Sequence, residues 1–508
     1  MCNFAVAMDI LSELNSSQQE AVLYNEGPSL IIAGAGSGKT RVLTYKIAYL
    51  LQQGVPANRI LALTFTNKAA REMKERIQQL VGEADSRYLW MGTFHSICAR
   101  ILRQEAEHLG FTRDFSIYDT SDSKSVIKQL CKERNLDDKV YKSSTILGRI
   151  SDAKNHLIDA EAYALNANYT KQDRFDRLYE MAELYRLYQL RLRAANAMDF
   201  DDLLMLTCRL FQQEEGALKY YQDIFQHILV DEYQDTNYAQ YLIVKMLAEP
   251  DNHISVVGDD AQSIYSFRGA DIHNILSFQQ GYANARLFKL ERNYRSTKTI
   301  VNAANSLIHH NENQIPKEVY SENADGEKIS VNCYMSDRDE AQGVVGAIRS
   351  VKPAKREGVA ILYRTNAQSR PFENELRKWN IPYRIYGGTS FYQRKEIKDA
   401  ICYFRLAANL KDNEALLRVI NFPSRGIGDI TLRKISECAI ERNISMFDVV
   451  VNPVAAGLPA SVTTMKRLKE FAQLIQHFRD QLDAQDAYQV ADMILRESGV
   501  MTAAAMDK

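Results

Sequence analysis

The sequence predicts an α/β fold in which a parallel sheet covered by helices is joined to mainly helical regions. Short apolar runs at 29–33, 60–65, 228–230 and 254–258 alternate with helical stretches along the 508-residue chain, as the strands of a parallel sheet do. The stretch from about residue 99 to residue 204 is instead dense in Lys, Arg, Glu, Leu and Tyr and contains no convincing buried strand. We therefore expect a sheet-containing core that is interrupted by an inserted helical domain.

The first apolar run is followed by a loop and then by a helix. Residues 29–33 read SLIIA, and Leu43, Ile47 and Leu51 then recur on one helical face. Gly54 and the proline that follows it end this helical pattern. The order is therefore strand, glycine-rich loop, helix.

A second group of apolar runs lies later in the chain. RLFKL at 286–290, KISVNCY at 328–334 and GVAILYR at 358–364 are strand candidates and predict a second α/β core. From about residue 386 onward the pattern is helical again, with one glycine-rich turn at 425–429. Domain boundaries are inferred from these changes of pattern alone, since no repeat or low-complexity linker separates the parts.

The balance of charge excludes a globally basic nucleic-acid binder. The chain has 63 basic and 64 acidic residues and a net charge of −1, so any contact with nucleic acid must come from local patches. The seven cysteines lack the short paired spacings of zinc or redox sites, which predicts a reducing, cytoplasmic location. No run of about 18 apolar residues and no secretory start occurs, so we expect neither secretion nor a membrane span.

The loop AGAGSGKT has the composition of a phosphate-binding loop. Its glycines permit backbone angles that turn N–H groups inward as a nest for phosphate oxygens at a helix N-terminus. Lys39 would reach the β- and γ-phosphates, and the hydroxyl of Thr40 would bind Mg²⁺. The usual pattern begins with glycine where this chain has Ala33, and a plain glycine-rich turn is the alternative interpretation. The candidate nucleotide-binding residues of the loop are Gly34, Ala35, Gly36, Ser37, Gly38, Lys39, Thr40 and Arg41.

The segment HILVDEYQDT carries the acidic residues that such a loop requires. Its apolar strand ends in Asp231 and Glu232, which places two carboxylates at the C-terminal edge of a sheet, where open α/β sheets bind ligands. Asp231 would hold Mg²⁺ directly or through water, and Glu232 would orient and deprotonate an attacking water. A solvated surface pair is the alternative interpretation. We expect this strand to be the neighbour of the strand at 29–33.

A series of longer motifs runs along the chain from about residue 14 to residue 431. They are LNSSQQEAV, AGAGSGKT, TFTNKAAREMKER, GTFHS, MDFDDLL, VDEYQDTN, VGDDAQSIYSFRGAD, LERNYRST, LYRTNAQSR and GGTSFYQRKEIKDA. In their residues and their order these motifs resemble superfamily 1 DNA helicases of the UvrD, PcrA and Rep group. The resemblance implies an ATP- and Mg²⁺-dependent 3′ to 5′ helicase or translocase acting on single-stranded DNA and single-strand/duplex junctions. It also implies a place in DNA repair or replication restart, with repair or replication proteins as partners.

The resemblance further implies two RecA-like P-loop cores with two inserted, mainly helical domains. ATP bound between the cores would close them, and each core would then grip the DNA strand in turn. The implied parts are an ATP-binding core at residues 1–98 and 205–288 and a helical insertion at residues 99–204. The first part of a second core follows at residues 289–385, and a truncated helical outer domain at residues 386–508.

Four residues outside the glycine loop take nucleotide-binding roles from the resemblance. Gln18 resembles the residue that reads adenine, since a carboxamide both donates and accepts hydrogen bonds. Tyr294 is similar to the aromatic residue that stacks on adenine, and Arg295 is similar to an arginine that contacts the γ-phosphate. Gln262 is similar to the residue that senses the γ-phosphate and couples ATP hydrolysis to the DNA site. Packing or surface positions are the alternatives, and for Tyr294 a core position is an equal alternative.

The resemblance also places DNA contacts in three motifs of the first core and in the glycine turn. Aromatic rings suit a translocating enzyme because every base has a π-face, whereas hydroxyls, amides and cations hold phosphates. Phe267 stands where many relatives carry tryptophan. For the aromatic residues the alternative is core packing. For His95 the alternative is an interior hydrogen-bonded position, and for the glycines it is a plain tight turn. The candidate DNA-binding residues are Phe65, Thr66, Asn67, Thr93, Phe94, His95, Tyr265, Phe267, Arg268, Gly426 and Gly428.

The chain departs from the family pattern after its last helical region. Relatives resume the second core there with a GLEF-like DNA motif and a final arginine-bearing motif, and neither occurs before this sequence stops at Lys508. We therefore expect a chain that binds ATP and DNA but unwinds poorly or not at all alone. An ATP-responsive DNA-binding interaction module in a repair complex is the alternative. A helicase–nuclease subunit is a third interpretation, although no nuclease constellation is present.

Overall fold

The structure, a computed structural model, describes residues 10–249, 253–282, 284–312, 314–386, 391–442 and 444–506. Within these ranges the strands are β1 Ser29–Ala33, β2 Ile60–Thr64, β3 Trp90–Thr93, β4 Ser116–Tyr118, β5 Ala197–Asp199, β6 His227–Val230, β7 His253–Gly258, β8 Arg286–Leu290, β9 Arg292–Asn293 and β10 Tyr320–Ser321.

Helices make up most of the rest of the described chain, and none of them combines the length and apolar character needed to cross a membrane. The α-helices are Ser16–Leu23, Lys39–Gln52, Asn67–Val81, Glu83–Ser86, Phe94–Glu105, Thr120–Glu133, Ser143–Asn155, Ala160–Leu165, Ala167–Phe175, Met181–Ala194, Phe200–Gln213, Glu215–Ile224, Tyr238–Ala248, His273–Leu276, Phe278–Gly281, Lys298–Ile308, Asp337–Ser350, Ser369–Lys378, Lys395–Ala408, Asn413–Val419, Asp429–Arg442, Met446–Val451, Val462–Asp480, Ala487–Glu497 and Val500–Met506.

The central sheet is six-stranded and parallel, with the strand order β3-β2-β6-β7-β1-β8. Its four inner strands are buried along almost their whole length and carry mainly apolar side chains, because helices cover both faces of the sheet. Leu30 and Ile32 of β1 pack into the core on one face, and Ile31 and Ala33 pack into the core on the other. Because all six strands run in the same direction, their carboxyl ends share one edge. The predicted α/β class, a RecA-like parallel-sheet core with helical regions, is confirmed.

Strand β8 corrects the assignment of the run at 286–290 to a second core. Its register with β1 runs from Arg286 opposite Ser29 to Leu290 opposite Ala33, so it forms one edge of the central sheet. Only two of its side chains are buried, as expected for an edge strand. The chain crosses from β7 to the far side of β1, and the apolar pattern of a single strand does not reveal such a crossing.

The strands predicted at 328–334 and 358–364 are wrong. Neither segment pairs with another strand among the described residues, and every residue of 328–334 is exposed. An apolar run needs a neighbouring strand to satisfy its backbone N–H and C=O groups, so the pattern alone does not make a sheet. In this region the helices Asp337–Ser350 and Ser369–Lys378 pack against each other through a small apolar cluster.

The stretch predicted as a helical insertion is helical apart from β4 and β5. These two short strands pair with each other in parallel and join the beginning of the stretch to its end. Tyr163, Tyr185 and Tyr188 are fully buried in its core, and leucines surround them. The tyrosine- and leucine-rich composition therefore builds the interior of this stretch, and its charged residues lie mostly outside.

The helices after residue 394 form a second helical body with an apolar core of their own. This body contacts the helical insertion through charged groups. Arg405 Nη1 lies 2.6 Å from Asp122 Oδ2 of the insertion, and Arg405 Nε lies 2.9 Å from Asp412 Oδ2 of its own body. Asn409 Nδ2 donates a hydrogen bond to the carbonyl of Asn196 at 3.0 Å. Polar contacts therefore join the two helical regions.

Glu414 at this contact predicts a pH-dependent stability. Burial, together with the charges of Asp122 and Asp412, raises the pKa of Glu414 to about 7. A carboxyl whose pKa is higher in the folded than in the unfolded state loses stability for the fold as the pH rises from about 4.5 to about 7. Glu414→Gln should therefore melt like the unmodified chain at pH 5. At pH 8 its free energy of unfolding should be higher by on the order of 1 kcal/mol, so it should melt at a higher temperature. Differential scanning fluorimetry checks this, and an equal difference at both pH values would contradict it.

Candidate functional site

The glycine-rich loop connects β1 to the helix Lys39–Gln52 at the carboxyl edge of the sheet. Gly36 has a φ of 69° and Gly38 a φ of 93°, both in the left-handed region that glycine adopts without strain. The hydroxyl of Ser37 donates to the carbonyl of Gly34 at 2.7 Å and folds the loop back on itself. The loop therefore has the geometry of a phosphate nest at a helix N-terminus.

The segment that follows β8 lies directly on this loop. Asn293 Nδ2 donates to the carbonyl of Ala35 at 2.5 Å. A Cβ atom added at Gly34 would lie 2.4 Å from Val319 Cγ2, so a larger residue could not be accepted there without movement. Glycine is therefore needed for the close approach of two parts of the chain as well as for the backbone angles of the loop.

Lys39 is the cation of the loop. Its Nζ is buried, lies 3.3 Å from Glu232 Oε2, and makes no hydrogen bond to any group in the described part of the chain. A buried ammonium without hydrogen-bond acceptors is unfavourable. The β- and γ-phosphates of a nucleoside triphosphate would supply those acceptors, so the residues present fit such a ligand.

Asp231 follows β6 at the same edge of the sheet, and its N–H donates to the carbonyl of Leu63 at 2.8 Å. Burial, followed by the charge of Glu232, raises the pKa of Asp231 to about 7, whereas Lys39 and the side chain of Thr40 beside it lower the pKa. The structure thus brings the two predicted Mg²⁺ ligands, Thr40 and Asp231, together. A hydroxyl and a carboxylate are the oxygen donors that a hard cation prefers, so they fit Mg²⁺.

The prediction that β1 and β6 are neighbouring strands is wrong. Strand β7 lies between them in the sheet. The loop after β1 and the carboxylates after β6 nevertheless meet, because the long side chain of Lys39 reaches across to Glu232. The sequence indicates that two strands belong to one sheet, but long-range pairing decides their order.

Glu232 has a φ of 49°, which is unusual for a residue other than glycine and is found often at functional sites. Its carboxylate accepts a hydrogen bond from Gln234 Nε2 at 2.9 Å. Gln234 Oε1 accepts in turn from the N–H of Asp259 at 3.0 Å, and a Cβ at Gly258 would lie 2.6 Å from that oxygen. Gln234 thus orients the proposed base. Gln234 is not among the residues predicted from the sequence, although it lies two residues after Glu232 in the same motif.

Gln262 belongs to the same network. Its Nε2 donates to Asp259 Oδ2 at 2.7 Å, in a short 3-10 turn that directly follows β7. Hydrogen bonds through Asp259 and Gln234 therefore connect the predicted γ-phosphate sensor with Glu232.

Gln18 and Tyr294 lie beside the glycine loop. Gln18 is 2% exposed, its Nε2 donates to the carbonyl of Ser37 at 3.0 Å, and its Oε1 accepts from the N–H of Asn15. The side-chain amide of Asn15 donates to the hydroxyl of Tyr294 at 2.6 Å. Tyr294 is 44% exposed, so the core alternative for this residue is not what the structure shows.

The two candidate arginines of the nucleotide site are both accessible. Arg41 is ion-paired with Glu13 at 3.0 Å. Arg295 is exposed, and its N–H donates to Asn293 Oδ1 at 2.8 Å. Asn293, which the sequence analysis missed, therefore fixes both the glycine loop and the backbone at Arg295.

Three of the candidate DNA-binding residues form a continuous row of rings. The ring centroids of Phe65 and Tyr265 are 5.0 Å apart, and those of Tyr265 and Phe267 are 5.9 Å apart. Phe65 follows β2 at the carboxyl edge of the sheet, and Phe267 is 69% exposed. This aromatic row, Phe65, Tyr265 and Phe267, is therefore open to solvent at one end. The side chain of the neighbouring Arg268 lies outside the described residues.

The two candidate threonines cap helices. Thr66 Oγ1 accepts a hydrogen bond from the N–H of Ala69, and Thr93 Oγ1 accepts from the N–H of Ser96. Both lie where a strand of the central sheet ends and a helix begins, and Asn67 is exposed in the first turn of one of these helices. The hydroxyls thus have a structural role whether or not DNA binds beside them.

Phe94 lies deeper than a DNA contact requires, whereas His95 beside it is only partly buried. Phe94 is 2% exposed and belongs to the main core, which corrects its prediction as a DNA-contacting side chain: the apolar face of its helix buries the ring. His95 is partly buried, packs edge-on against Phe200 with centroids 5.9 Å apart, and has its pKa lowered by burial. For Phe94, the packing alternative is therefore what the structure shows.

The glycine turn at 425–429 is held by Arg467. Gly426 has a φ of 68°, and its carbonyl accepts a hydrogen bond from Arg467 Nη1 at 3.1 Å. Ile427 is buried, whereas a Cβ added at Gly428 would meet no atom within 4 Å. The backbone at Gly428 is thus open to approach, a geometry that a phosphate-contacting turn and a plain tight turn share.

A glycine loop with a buried lysine that meets two carboxylates at one edge of a parallel sheet defines the class of P-loop nucleoside triphosphatases. Residues 14–283 match the family model of the UvrD/REP helicase N-terminal domain, and residues 288–488 match that of the UvrD-like helicase C-terminal domain. The chain belongs to the UvrD/REP helicase family, and the resemblance inferred from its motifs is confirmed.

Curated relatives extend this similarity over almost the whole chain. ATP-dependent DNA helicase PcrA of Staphylococcus aureus strain Mu50 is 47% identical over 497 residues, which cover 96% of this chain and 66% of the relative. The protein of the same name from Staphylococcus epidermidis strain RP62A is 48% identical over 495 residues, with the same two coverages. This chain therefore spans just under two thirds of the length of these relatives.

Proposed function

We propose that this chain is an ATP-dependent DNA helicase or translocase that moves 3′ to 5′ along single-stranded DNA and uses Mg²⁺ for ATP hydrolysis. The observation that carries the proposal is the meeting of Lys39 and Thr40 with Asp231 and Glu232 at one edge of the sheet. The name of the relatives, ATP-dependent DNA helicase, supports the same assignment.

Each side chain at the loop has a separate role in ATP hydrolysis. Lys39 binds the β- and γ-phosphates, and Thr40 and Asp231 would hold Mg²⁺, which would neutralise phosphate charge. Glu232 orients a water for attack and accepts its proton. Gln234 keeps that carboxylate in place, since it donates to Glu232 Oε2.

Gln18 keeps hydrogen-bonding capacity for adenine. A carboxamide has two N–H donors and two acceptor lone pairs. One donor is used by the carbonyl of Ser37 and one lone pair by the N–H of Asn15, so one of each is left. One donor and one acceptor side by side match the edge of adenine. Tyr294, exposed nearby, supplies a ring for stacking on the base, and Arg295 a cation for the γ-phosphate.

The aromatic row adjoins the nucleotide site along the chain. Gln262 and Tyr265 are three residues apart, so a movement of Gln262 on binding or loss of the γ-phosphate would be passed to the rings over a short stretch of chain. Exposed rings grip unpaired bases without reading their sequence, which suits a translocase. The backbone at Gly428 would contact duplex phosphates at a single-strand/duplex junction. The relatives are bacterial, and we place this chain with the DNA in the cytoplasm, in repair or replication.

ATP hydrolysis measured with and without single-stranded DNA tests the proposal. A translocase hydrolyses ATP faster when the strand is bound, so a single-stranded oligonucleotide should raise kcat several-fold. Hydrolysis that does not respond to the oligonucleotide would contradict the proposal.

A second candidate function is an ATP-responsive DNA-binding module that docks on a repair protein. The exposed segment 328–335 favours this candidate, because Ile329, Val331 and Met335 lie close together at the surface and neighbouring exposed apolar side chains mark protein interaction sites. The same assay separates the two functions: a docking module would bind the oligonucleotide without a rise in kcat.

Phe267→Ala should weaken the binding of single-stranded DNA. Stacking of a base on an aromatic ring contributes about 1–3 kcal/mol, so the Kd of a labelled oligonucleotide should rise about 5- to 150-fold. Fluorescence anisotropy measures this change. Phe175→Ala is the matched control, since Phe175 is 83% exposed on the helical insertion. Equal affinities of the two variants would contradict the role of the aromatic row.

A further inference from the structure

Lys317 forms a buried contact between the two regions predicted as separate cores. It belongs to the region 289–385, and its Nζ lies 2.6 Å from Asp260 Oδ1 and 3.0 Å from Asp259 Oδ1. The side chains of Lys317, Asp260 and Asp259 are 7%, 1% and 3% exposed. One ammonium therefore faces two carboxylates away from water, where salt screens ion pairs least.

The contact fixes the turn that carries Gln262. One oxygen of Asp259 faces Lys317, whereas the other, Oδ2, accepts a hydrogen bond from Gln262 Nε2 at 2.7 Å. The N–H of Asp259 donates to Gln234 Oε1, and Gln234 Nε2 donates to Glu232 Oε2. Any displacement of Asp259 would therefore move both the proposed γ-phosphate sensor and the side chain that orients the proposed base.

The segment around Lys317 also touches the glycine loop. Val319 lies so close to Gly34 that an added Cβ would be 2.4 Å from Val319 Cγ2. Asn305 Nδ2 donates to the carbonyl of Val319 at 2.6 Å and ties the segment to the helix Lys298–Ile308. A short piece of the region 289–385 therefore contacts both the phosphate loop and the sensor turn.

We infer that Lys317 is a positioning residue that holds Gln262 through Asp259 and so couples movement of the region 289–385 to ATP hydrolysis. This inference rests on the proposed function. Loss of the contact should lower kcat in the presence of DNA and leave the KM for ATP unchanged, because Lys39 and Gln18 keep their places. A side chain that merely stabilised the fold would not produce this split.

The test requires a variant that still folds. Lys317→Gln alone would leave two buried carboxylates without a cation, which is strongly destabilising. Asp260→Asn together with Lys317→Gln removes the contact to Asp259 while the cluster keeps its net charge. Asp260→Asn alone is the matched control, since Asp260 bonds to Lys317 and Ile315 and the pair of Lys317 with Asp259 stays intact.

ATP hydrolysis is measured for the unmodified chain and the variants with and without a single-stranded oligonucleotide. The DNA-stimulated kcat of the double variant should fall about 10- to 100-fold, as is typical when a supporting residue of a site is lost, with a KM for ATP within about twofold. Asp260→Asn should keep the stimulated kcat within about twofold, and Lys317→Arg, which retains the charge, should keep most of it.

Three results would overturn the inference. The double variant could match Asp260→Asn in kcat, which would show that Lys317 positions nothing. It could melt well below Asp260→Asn and lose kcat and KM together, which would show a structural role only. The third result is an unmodified chain whose ATP hydrolysis is not stimulated by DNA, in which case both the proposed function and the inference fail. If DNA does stimulate the unmodified chain, either of the first two results removes the inference and leaves the proposed function standing.

Discussion

Glu232→Gln should stop ATP turnover while ATP still binds. The substitution keeps the shape of the side chain and removes its ability to take a proton, and a general base contributes about 10²- to 10⁴-fold to a rate. We therefore expect a fall in DNA-stimulated kcat of about that size. The Kd of a fluorescent ATP analogue should stay within a few-fold, because Lys39 and Thr40 are untouched.

Glu75→Gln is the matched control for this prediction. Glu75 is an exposed carboxylate on the helix Asn67–Val81, so its loss should leave kcat unchanged. Turnover by Glu232→Gln that equals the turnover of the control would contradict the assignment of the base. A large loss of ATP affinity in Glu232→Gln would indicate instead that the carboxylate mainly positions Lys39, 3.3 Å away.

Lys39→Ala should lose both hydrolysis and ATP affinity. Its Nζ is buried without a hydrogen-bond acceptor in the described residues, so phosphate oxygens are its natural partners. Removal of one group that stabilises a transition state costs about 10²- to 10³-fold in kcat, and the loss of ground-state binding adds to this in kcat/KM. Steady-state kinetics over a range of ATP concentrations measures both quantities.

Thermal unfolding separates this prediction from a loss of fold. An ammonium without acceptors stabilises the apo chain little, so the Tm of Lys39→Ala should stay close to that of the unmodified chain. Lys68→Ala, at a lysine that is 78% exposed, serves as the control for a lost positive charge. Hydrolysis by Lys39→Ala at the rate of this control would remove the phosphate-loop assignment.

The residues of the candidate nucleotide site can be identified from local sequence, and the structure brings Lys39 and Thr40 together with the two carboxylates that follow β6. A buried strand, three glycines, Lys39 and Thr40 lie within one short stretch, and so do the strand β6, Asp231 and Glu232. Such patterns are read over a few residues, where propensity and periodicity are informative. The sheet edge on which they meet follows from parallel strands.

The order of the strands and the connecting residues could not be predicted in the same way. Strand β7 separates β1 from β6, and β8 pairs with β1 from a position more than 250 residues further along the chain. Asn293 and Lys317 each act through a contact with a distant part of the chain, which no local pattern records. The strands predicted at 328–334 and 358–364 failed for a related reason, since a strand also requires a partner.

The aromatic candidates show both outcomes. Phe65, Tyr265 and Phe267 come together in one row, whereas Phe94, in an equally suggestive motif, is buried in the core. The sequence cannot separate a ring that stacks on a base from one that packs on a helix, because both require the same apolar surface. Burial decides between them.

A structure of the chain with Mg²⁺ and a non-hydrolysable ATP analogue would show directly whether the glycine loop and the carboxylate after β6 bind one Mg²⁺–nucleotide complex. We expect the triphosphate to lie over the glycine loop, with Lys39 Nζ on its β- and γ-phosphate oxygens. One Mg²⁺ should be bound by Thr40 Oγ1 at about 2.0–2.1 Å and by the Asp231 carboxylate, directly or through one water. A triphosphate bound away from this loop, or an ion that contacts only one of these two residues, would contradict it.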